Sequence, residues 1–574
     1  MGKITAAVAA LSMLAGATSA WSQESFRSFR GDRSGGWLAQ SRSEVVARNG
    51  MVATSQPLAA QAGLEILKKG GNAFDAAVAA AAVLNVVEPG GAGIGGDMFA
   101  IAWIAKEKKL VGLNGTGRAV TGSTPDYFAS RNIKEIDWRS IDSVSVPGAV
   151  DGWDALLKRG GTMTFKQVLE PAVRIADEGF AVSERIHYDW EGNVDDLRKD
   201  PDSAKAYLVN GEAPAAYSIF RNPDLAKAFR ALQSKGRDAF YKGEIARAIV
   251  AKSQALGGRM TMDDLARTQA TWVNPISTNY KGFDVYELPP STQGFATLEM
   301  LNIVEVCAPQ LGVDLAKLGH SSPLYWHFLI EAKKIAYADL HRYNADPDFA
   351  NVPVDRLISK AYAGTRCKDI SLTRAAPTPA AAEPMGGTVY ISAADKDGNM
   401  VSLIYSVFEG FGSAITVPGY GFVLNDRANL FSLDPTSPNA IAPGKRPFQT
   451  LIPGFVMKDG EPLMSFGLMG GIQQAQGHAQ VLINMIDLGA NVQAASDAAR
   501  FSHFQDRNTV WLEAELFRNV GGALSAMGHR VVQRDGTEMG GYQAIMRTLG
   551  RTAAQGQIYR GGSDHRKDGQ AVGW

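Results

Sequence analysis

The sequence predicts an α+β protein whose helices and strands are concentrated in different halves of the chain. Helical patterns dominate from about residue 148 to 375, where apolar residues recur at the spacing of amphipathic helices. Beyond Thr388 the pattern changes to β-rich runs, beginning with TVYISAAD and MVSLIYSVF. The Ala/Pro-rich stretch from Ala375 to Gly387 joins the two halves, and its composition predicts an exposed, mobile and easily cleaved segment.

Two helices are predicted where regular structure begins. Ser55 can cap the first, with Pro57 in its first turn, and a glycine pair ends it. Asn72 can cap the second, which is rich in alanine and ends before Pro89. Alanine lies on several faces of this second helix, so we expect it to be buried against close neighbours.

A glycine-rich loop follows these helices in the run EPGGAGIGGDMF. Gly91, Gly93 and Gly96 match the spacing of a dinucleotide-binding loop, but they follow a helix and precede a strand, the reverse of the required order. The loop instead predicts a close approach of backbone to a catalytic centre, because glycine has no side chain to obstruct it.

Thr388 is the strongest candidate for a catalytic nucleophile. If the bond between Gly387 and Thr388 were cut, one residue would carry both a hydroxyl and a free α-amine. An α-amine titrates near pH ~8, so it can act as a general base at neutral pH. The simpler alternative is a plain β-hairpin, because Asp397-Gly398 is a favourable turn between two β-rich runs.

Other candidates could serve such a nucleophile. Gly470 and Gly471 follow the strand-like run LMSFGLM and precede a helix, so their N–H groups can stabilise a developing oxyanion. The hydroxyls of Ser406 and Thr450 can orient the nucleophile or hydrogen-bond a substrate. A plain strand-to-helix turn is the alternative for the glycine pair.

Two arginines stand in loops after strand-like runs. Arg118 lies in NGTGRAV and Arg427 lies in LNDRANLF. A guanidinium can form two parallel hydrogen bonds with a substrate carboxylate, which lysine does poorly. A solvated surface arginine is the alternative for either position.

The composition narrows the class of partner. Lys plus Arg equals Asp plus Glu at 58 each, so nothing predicts nucleic acid or an anionic membrane surface, and we expect a small-molecule substrate. The eight histidines show no metal-ligand spacing and His478 is expected to be structural, so neither a metal nor a cofactor is predicted. Cys307 and Cys367 can pair in an oxidising compartment, although a buried free thiol is equally consistent with the apolar run around Cys307.

The N-terminus predicts export to the periplasm or secretion. Lys3, an apolar run from Ile4 to Ala17 and the small residues Thr18 to Ala20 are typical of a cleaved signal peptide over residues 1–20. An uncleaved membrane anchor is the alternative, but the run falls short of the ~20 apolar residues that span a bilayer. Residues 21–50 then predict a flexible leader, and no later segment is expected to cross a membrane.

Motifs in a characteristic order extend over the chain from Met51 to Trp574. They are GGNAFDAAVAAAAVLNVVEPGGAGIGGDMF, VPGAVDGWDALL, PAVRIADEGF, YELPPSTQGFATLEMLNI, IEAKKIAYADLHRYNADPDF, GGTVYISAADKDGNMVSLIYS, KRPFQTLIP, MGGIQQAQGHAQVL and SDHRKDGQAVGW. Together they resemble the γ-glutamyltransferase (glutathione hydrolase) proenzyme family of the N-terminal nucleophile hydrolase superfamily. The resemblance implies an αββα sandwich formed jointly by a large subunit, residues 51–387, and a small subunit, residues 388–574.

The resemblance also implies a role for each candidate residue. Thr388 matches the cleavage residue that becomes the nucleophile once the bond after Gly387 is cut. Ser406 matches a second hydroxyl that hydrogen-bonds the nucleophile. The pair Gly470-Gly471 matches the oxyanion-binding glycines, and Thr450 matches a substrate-binding hydroxyl.

Departures from the family pattern concern the substrate. Members that bind γ-glutamyl groups carry an arginine in a DFRE-like segment, whereas NGTGRAV puts Arg118 two positions later. Leu430 stands where they have an acid for the substrate α-amine, and Phe408 stands where they have an asparagine. The versions NGTGRAV and NDRANLFSLDP are more similar to the branch with cephalosporin-acylase-like members.

Three functions remain open from the sequence. The first is a γ-glutamyl hydrolase or transferase acting on glutathione-like peptides, with water, an amino acid or a peptide as acceptor and hydrolysis favoured. The second is an acylase for a dicarboxylate side chain that lacks the amine, such as a glutaryl amide. The third is an uncleaved, inactive binding protein with the same fold. A higher oligomer of the two subunits is also left open.

Overall fold

Two seven-stranded β-sheets pack face to face in the computed structural model, and helices cover both outer faces. This layering confirms the predicted α+β class and its αββα arrangement. The predicted signal peptide, residues 1–20, lies outside the part of the chain that the structure describes. The described residues are Phe26, 39–378, Glu383, 386–549 and 556–574.

Both large sheets combine strands from before and after Thr388. In the described residues the strands are, in chain order, β1 Val45–Ala47, β2 Gly50–Thr54, β3 Asp97–Ile104, β4 Lys109–Gly115, β5 Phe180–Ala181, β6 Ile219–Phe220, β7 Thr271–Val273, β8 Ile276–Tyr280, β9 Phe283–Glu287, β10 Gly387–Asp395, β11 Met400–Phe408, β12 Gly454–Lys458, β13 Glu461–Leu468, β14 Phe501–Phe504, β15 Thr509–Glu513, β16 Arg530–Arg534, β17 Tyr542–Leu549, β18 Gln557–Ser563 and β19 Gln570–Gly573. The first sheet has the order β1-β18-β17-β13-β12-β9-β8, and the second has the order β19-β2-β10-β11-β3-β4-β7. Two smaller sheets, β14-β15-β16 and β5-β6, lie outside this pair.

Long helices form the two outer layers. The described helices of eight or more residues are α1 Pro57–Lys68, α2 Ala73–Val87, α3 Ala149–Gly160, α4 Glu170–Glu178, α5 Glu184–Glu191, α6 Pro223–Lys235, α7 Glu244–Ala255, α8 Gly294–Gln310, α9 Pro323–Tyr343 and α10 Gln473–Ile486. Helices α1, α2 and α3 cover the second sheet, whereas α8 and α10 cover the first and α9 packs on α8. Shorter helices connect them at Pro125–Ser130, Phe165–Val168, Val194–Lys199, Pro201–Tyr207, Asp238–Tyr241, Met262–Ala266, Leu315–Leu318, Val354–Leu357, Lys360–Arg366, Val492–Asp497, Ala514–Leu516 and Gly522–Ala526.

The start of the second helix was predicted correctly and that of the first was not. Asn72 caps α2 by accepting hydrogen bonds from two first-turn N–H groups, and every residue of this helix is buried. Gln56, not Ser55, caps α1. The Ser55 hydroxyl instead donates to the buried Glu88 carboxylate at 2.5 Å, so tertiary contact overrides its local capping preference.

The predicted hairpin is present and carries Thr388 near its start. Strands β10 and β11 pair antiparallel on either side of the turn, where Gly398 adopts a φ of 90° that favours glycine. Gly387 pairs with Phe408 and Val389 pairs with Tyr405, with an irregularity between them. Thr388 lies in that irregularity, at the point where the ladder changes register.

Several expectations outside the core need correction. Cys307 and Cys367 form a disulfide. Of the two alternatives that the sequence left open, pairing is therefore present and the free thiol is not. Residues 45–47 of the predicted leader form β1, which pairs with β18, and Glu44 forms an ion pair with Arg560 at 2.9 Å. The expectation of an exposed segment before Thr388 is wrong at Glu383, which is buried. Among the described helices, none combines the length and apolar character needed to cross a membrane.

Candidate active site

The Gly387–Thr388 peptide is surrounded by hydroxyl groups. We call Thr388, Ser406 and the Gly387 carbonyl the hydroxyl cluster. The Thr388 Oγ1 atom lies 2.5 Å from the Gly387 carbonyl oxygen and 3.5 Å from the Ser406 Oγ atom. Ser406 also donates to the Gly387 carbonyl at 2.7 Å and accepts from the Phe408 N–H at 2.7 Å. A buried hydroxyl therefore lies beside the carbonyl of the peptide bond that precedes it.

The glycine-rich loop approaches this cluster as the sequence predicted. A Cβ atom on Gly96 would lie 2.1 Å from the carbonyl oxygen of Ser406, and one on Gly91 would lie 3.6 Å from the carbonyl carbon of Thr388. No side chain fits at Gly96 without separating β3 from β11. The loop thus brings backbone against both hydroxyl-bearing residues.

Arg427 forms a second group with Asp97, Thr450 and the Phe408 ring, which we call the arginine cluster. The Arg427 Nε atom lies 3.5 Å from Asp97, its Nη1 donates to Thr450 Oγ1 at 3.2 Å, and its guanidinium stacks 4.4 Å from the Phe408 ring centre. Burial lowers the pKa of Arg427 and raises the pKa of Asp97, and each charge opposes the shift of the other. The Arg427 Nη2 atom is buried and donates to no other described residue, so one hydrogen-bond donor of the cluster is unpaired.

Two buried acids flank the arginine cluster. The Glu409 N–H donates to Asp426 Oδ1 at 3.2 Å, and both side chains interact electrostatically with Arg427. Burial raises the pKa of Glu409 to about 8 and the pKa of Asp426 to about 7. Leu430, where the sequence lacks an acid, ends the helical turn that begins at Arg427, and Asp426 directly precedes that turn.

Gly470 and Gly471 lie between β13 and α10, as predicted. Both adopt positive φ angles, 117° and 62°. Within the described residues, neither N–H donates a hydrogen bond to another group. The Gln293 side-chain amide donates to the carbonyls of Thr450, at 2.6 Å, and Gly471, at 2.9 Å. This amide joins the glycine pair to the arginine cluster.

A solvent-open cleft of about 580 Å³ lies beside the Gly387–Thr388 peptide, with Gly387 and Thr388 in its wall. Its lining includes charged residues of both signs, namely Glu88, Asp189 and Lys567. The Lys567 ammonium lies 3.6 Å from the Asp189 carboxylate. Burial raises the pKa of Glu88 to about 7, and the Lys567 charge opposes that shift. The cleft can accept a polar molecule beside the hydroxyl cluster.

The structure separates Arg118 from the other predicted site residues. Its side chain is 38% exposed, donates to the Gly444 carbonyl at 2.8 Å and lies within 3.7 Å of Asp346 and 3.5 Å of Asp348. It lines another cavity, bordered by Thr121, Asp264, Arg267 and Pro443 among others. A contiguous chain of contacts connects the remaining predicted residues: Thr388, Ser406, Arg427, Thr450 and Gly471.

Besides Glu409 and Asp426, sequence reasoning missed four charged residues in segments that lead to this site. Asp97 directly follows the glycine loop in GGDMF, and Lys567 lies in the terminal motif SDHRKDGQAVGW. Glu88 directly precedes the loop, and Glu383 is the lone charge in the Ala/Pro-rich segment. A charged residue in an otherwise apolar or glycine-rich run was the signal available for Asp97, Glu88 and Glu383, whereas the charged run around Lys567 gave no such signal.

One group of metal-ligand residues occurs in the described residues, remote from the contacts above. His327, Glu331 and His529 are buried and lie within 4.8 Å of one another. The two imidazoles hydrogen-bond each other at 2.8 Å, and Lys334 donates to Glu331 at 2.8 Å. These pairings occupy one nitrogen of each imidazole and one oxygen of Glu331, and the ammonium beside Glu331 opposes the binding of a cation.

An αββα sandwich with a threonine near the start of a central strand defines the class of N-terminal nucleophile hydrolases. The chain belongs to the gamma-glutamyltranspeptidase family, whose model matches residues 59–574. The predicted family resemblance is thereby confirmed.

The proteins similar to this chain include both glutathione hydrolases and acylases. The "Glutathione hydrolase-like YwrD proenzyme" of Bacillus subtilis (strain 168) is 37% identical, over 92% of this chain and 99% of its own length. The "Acylase ACY 1 proenzyme" of Pseudomonas sp. (strain SE83) is 34% identical, over 86% of this chain and 89% of its own. The crystal structure of a cephalosporin acylase from Bacillus halodurans superposes with a TM-score of 0.86 at 39% identity, covering 95% of this chain and 99% of that one. Relatives of this chain are thus glutathione hydrolases and acylases.

Proposed function

We propose that this chain is a self-cleaving amide hydrolase that acts on γ-glutamyl amides such as glutathione through a Thr388 acyl-enzyme. The observation that carries the proposal is the position of the Thr388 hydroxyl, 2.5 Å from the Gly387 carbonyl oxygen and 3.5 Å from the Ser406 hydroxyl. A hydroxyl next to its own preceding carbonyl can attack that carbonyl. The names of the proenzyme relatives agree with a precursor that is processed.

In the first stage the Thr388 Oγ1 atom attacks the carbonyl carbon of Gly387. The bond from that carbon to the Thr388 nitrogen breaks as an ester forms, and the hydroxyl proton passes to the nitrogen. Water then hydrolyses the ester, which leaves a carboxylate on Gly387 and a free hydroxyl and α-amine on Thr388. Ser406 donates to the Gly387 carbonyl oxygen, where negative charge develops during the attack.

The products of this cleavage would be a large subunit ending at Gly387 and a small subunit, residues 388–574. In the second stage the freed α-amine removes the proton of the Thr388 hydroxyl, which attacks the substrate amide. The N–H groups of Gly470 and Gly471 are the proposed oxyanion donors, each typically worth ~3 kcal/mol. The leaving amine takes the proton, and water releases the acyl group. We favour hydrolysis over transfer to an amino acid or peptide because the residues for the substrate head group are altered.

Substrate recognition is assigned to the buried charges. The free Nη2 donor of Arg427 suits a substrate carboxylate, with Thr450 beside it. The carboxyl groups of Glu409 and Asp426 can accept hydrogen bonds from an α-amine, whose positive charge would favour their ionised forms. Arg118 remains a proposed carboxylate ligand because its guanidinium stands in a loop after a strand, although it is two positions from the arginine of the family pattern. The N-terminal pattern supports a periplasmic or secreted enzyme.

A glutaryl-type acylase with the same nucleophile is the second candidate. Leu430 lacks the acid for an α-amine, and a cephalosporin acylase is among the most similar solved structures. A dicarboxylate side chain without the amine would need only the arginine. The two candidates therefore share their chemistry and differ in the head group.

Denaturing electrophoresis and a substrate comparison test these proposals. Purified protein is expected to give two bands, with the smaller beginning Thr-Val-Tyr-Ile, whereas Thr388→Ala is expected to give one inactive band. Processing in the Thr388→Ala variant would rule out the mechanism. A single inactive wild-type band would instead support an uncleaved binding protein. Among active outcomes, faster turnover of γ-glutamyl than of glutaryl anilide supports the first candidate, and the reverse supports the acylase.

A further inference from the structure

Glu383, five positions before Thr388, pairs with the buried Lys333 and the partly buried His341. Its Oε1 atom is 3.2 Å from the Lys333 ammonium and 2.8 Å from His341 Nε2. Its Oε2 atom accepts the backbone N–H of Gln505 at 2.6 Å. Both Glu383 and Lys333 have side chains with no exposed surface. The carboxylate thus has partners on both oxygens.

The side chains that bind Glu383 through its Oε1 atom lie on one face of helix α9. Lys333, Tyr337 and His341 follow each other at intervals of four residues, so they lie along a single stripe of the helix. The Lys333 ammonium lies 3.8 Å from the Tyr337 ring centre and 3.2 Å from His503 Nδ1. Helix α9 therefore presents a preformed receptor for one carboxylate, and Glu383 occupies it.

Burial of this pair has an energetic cost that local structure does not explain. Removing a carboxylate and an ammonium from water costs several kcal/mol each, and only good geometry with further hydrogen bonds repays it. Burial pushes the pKa of Glu383 upward, but the Lys333 charge and the hydrogen bond from His341 outweigh it and hold the pKa below its usual range. The carboxylate is therefore ionised and paired at neutral pH.

Glu383 is close in sequence to the Gly387–Thr388 bond, and this closeness links the buried pair to the proposed self-cleavage. Only three residues separate Glu383 from Gly387, and the Gly387 carbonyl is itself held by the Ser406 hydroxyl. At ~3.5 Å per residue, a fixed Glu383 confines Gly387 to a sphere of roughly 14 Å radius. Attack by a neighbouring hydroxyl depends on near-attack geometry, in which a misplacement of ~1 Å can cost ~10²-fold in rate.

We propose that Lys333 and His341 anchor the Glu383 carboxylate so that the Gly387–Thr388 bond is positioned for self-cleavage. Glu383 is a positioning residue in this role, since it does not touch the reacting atoms. The anchor acts before the bond is cut and is not needed afterwards. This inference rests on the proposed self-cleavage and adds to it the residues that hold the precursor in place.

The test measures the rate of processing separately from mature activity. Newly synthesised full-length chains from cell-free translation are followed by denaturing electrophoresis, and amide hydrolysis is then measured per cleaved molecule. Glu383→Gln is expected to slow the appearance of two bands by ~10–100-fold. Once cleaved, the variant should hydrolyse substrate at the wild-type rate, and Glu383→Asp should recover part of the processing rate.

A matched control and a milder variant keep the result interpretable. Asp339→Asn removes another buried ion pair on α9, to Arg366 at 3.0 Å, and should leave the processing rate unchanged. His341→Leu removes one of the two side chains that bind Glu383 and should slow processing several-fold even if Glu383→Gln fails to fold.

The outcomes separate the anchor from the proposed function. If the wild type is cleaved and both Glu383→Gln and His341→Leu are cleaved equally fast, the anchor is wrong and the function stands. If the wild type remains one inactive chain, the proposed function itself is wrong. Equal slowing by Asp339→Asn would overturn the anchor by showing that loss of any buried ion pair on α9 has this effect.

Discussion

The hydroxyl cluster and the arginine cluster are neighbours, since Phe408 contacts both, yet different forces hold them together. The hydroxyl cluster is neutral, and a hydrogen bond of 2.7 Å from Ser406 to the Gly387 carbonyl joins its two adjacent strands. The arginine cluster brings the buried charges of Asp97 and Arg427 together from segments far apart in the chain, with Phe408 and Thr450 beside them. In the proposed function, strand register would set the geometry for breaking a bond, whereas buried charge would set what is recognised. Mutations should separate the two.

The largest expected effect is on folding, at Arg427. Replacing it with Met leaves Asp97 buried without its cation, and breaking a buried pair in this way typically costs about 3–5 kcal/mol. Chemical denaturation in a Thr388→Ala background, where the chain stays intact, measures the free energy of unfolding. Adding Asp97→Asn should recover part of the loss. A double variant whose loss equals the sum of the single losses would contradict a coupled pair.

Ser406→Ala should leave folding nearly unchanged but impair the chemistry. The substitution removes the hydroxyl that donates to the Gly387 carbonyl at 2.7 Å. Loss of one donor to a developing oxyanion typically costs ~10²–10³-fold, or about 3–4 kcal/mol. The processing rate on denaturing gels gives the result, with Ser406→Thr as a control that retains a hydroxyl. Rapid processing of Ser406→Ala would show that this donor is not used.

A substitution of Glu88 tests whether this buried carboxyl group makes folding stability depend on pH. Its pKa is raised to about 7 from 4.5, so between those pH values the folded chain holds a proton that the unfolded chain has lost. Folding stability therefore falls as pH rises through this window, by at most ~3 kcal/mol. In the Thr388→Ala background, Glu88→Gln should flatten this slope in denaturation measurements between pH 4.5 and 7. An unchanged slope would exclude Glu88 as its source.

The smallest effect is expected at Thr450. Thr450→Val keeps the shape of the side chain but removes the acceptor for Arg427 Nη1, a hydrogen bond worth about 1 kcal/mol. If the arginine cluster binds substrate, KM should rise about fivefold while kcat stays nearly constant, since uniform binding is lost. Steady-state kinetics on a γ-glutamyl anilide measures both. A fall in kcat alone would instead show that Thr450 acts in the catalytic step, and the two clusters would then not differ in role.

The strands that carry the hydroxyl cluster could be predicted from the sequence, whereas the ion pair of the arginine cluster could not. The hairpin that carries Thr388 has local signals, namely β-rich alternation and a Gly at the turn, and the structure matches them. The pairing of Arg427 with Asp97 has no local signal, because it depends on how two distant segments pack. Arg427 was therefore identified as a candidate but expected, by default, on the surface.

Glu383 and Ser55 show the same limit from the other direction. Composition alone predicted an exposed segment around Glu383 and a capping role for Ser55. Each side chain instead meets a buried partner distant in sequence, Lys333 for Glu383 and Glu88 for Ser55. Local propensity is a weak prior wherever a tertiary partner offers a stronger interaction. The roles of the nucleophile and the oxyanion glycines remain predictions until processing and turnover are measured.

The mixed origin of both large sheets has a consequence for how the protein could be assembled. In the second sheet β10, which begins at Gly387, lies between β2 from upstream and β11 from downstream, and the first sheet is similarly interleaved. One continuous chain can close these ladders as an intramolecular event. Once the chain is in two pieces, the same ladders would have to form by encounter of two molecules, at a rate that depends on concentration. Cleavage would therefore make folding history matter: halves expressed apart should reassemble poorly, even though the cut enzyme stays together.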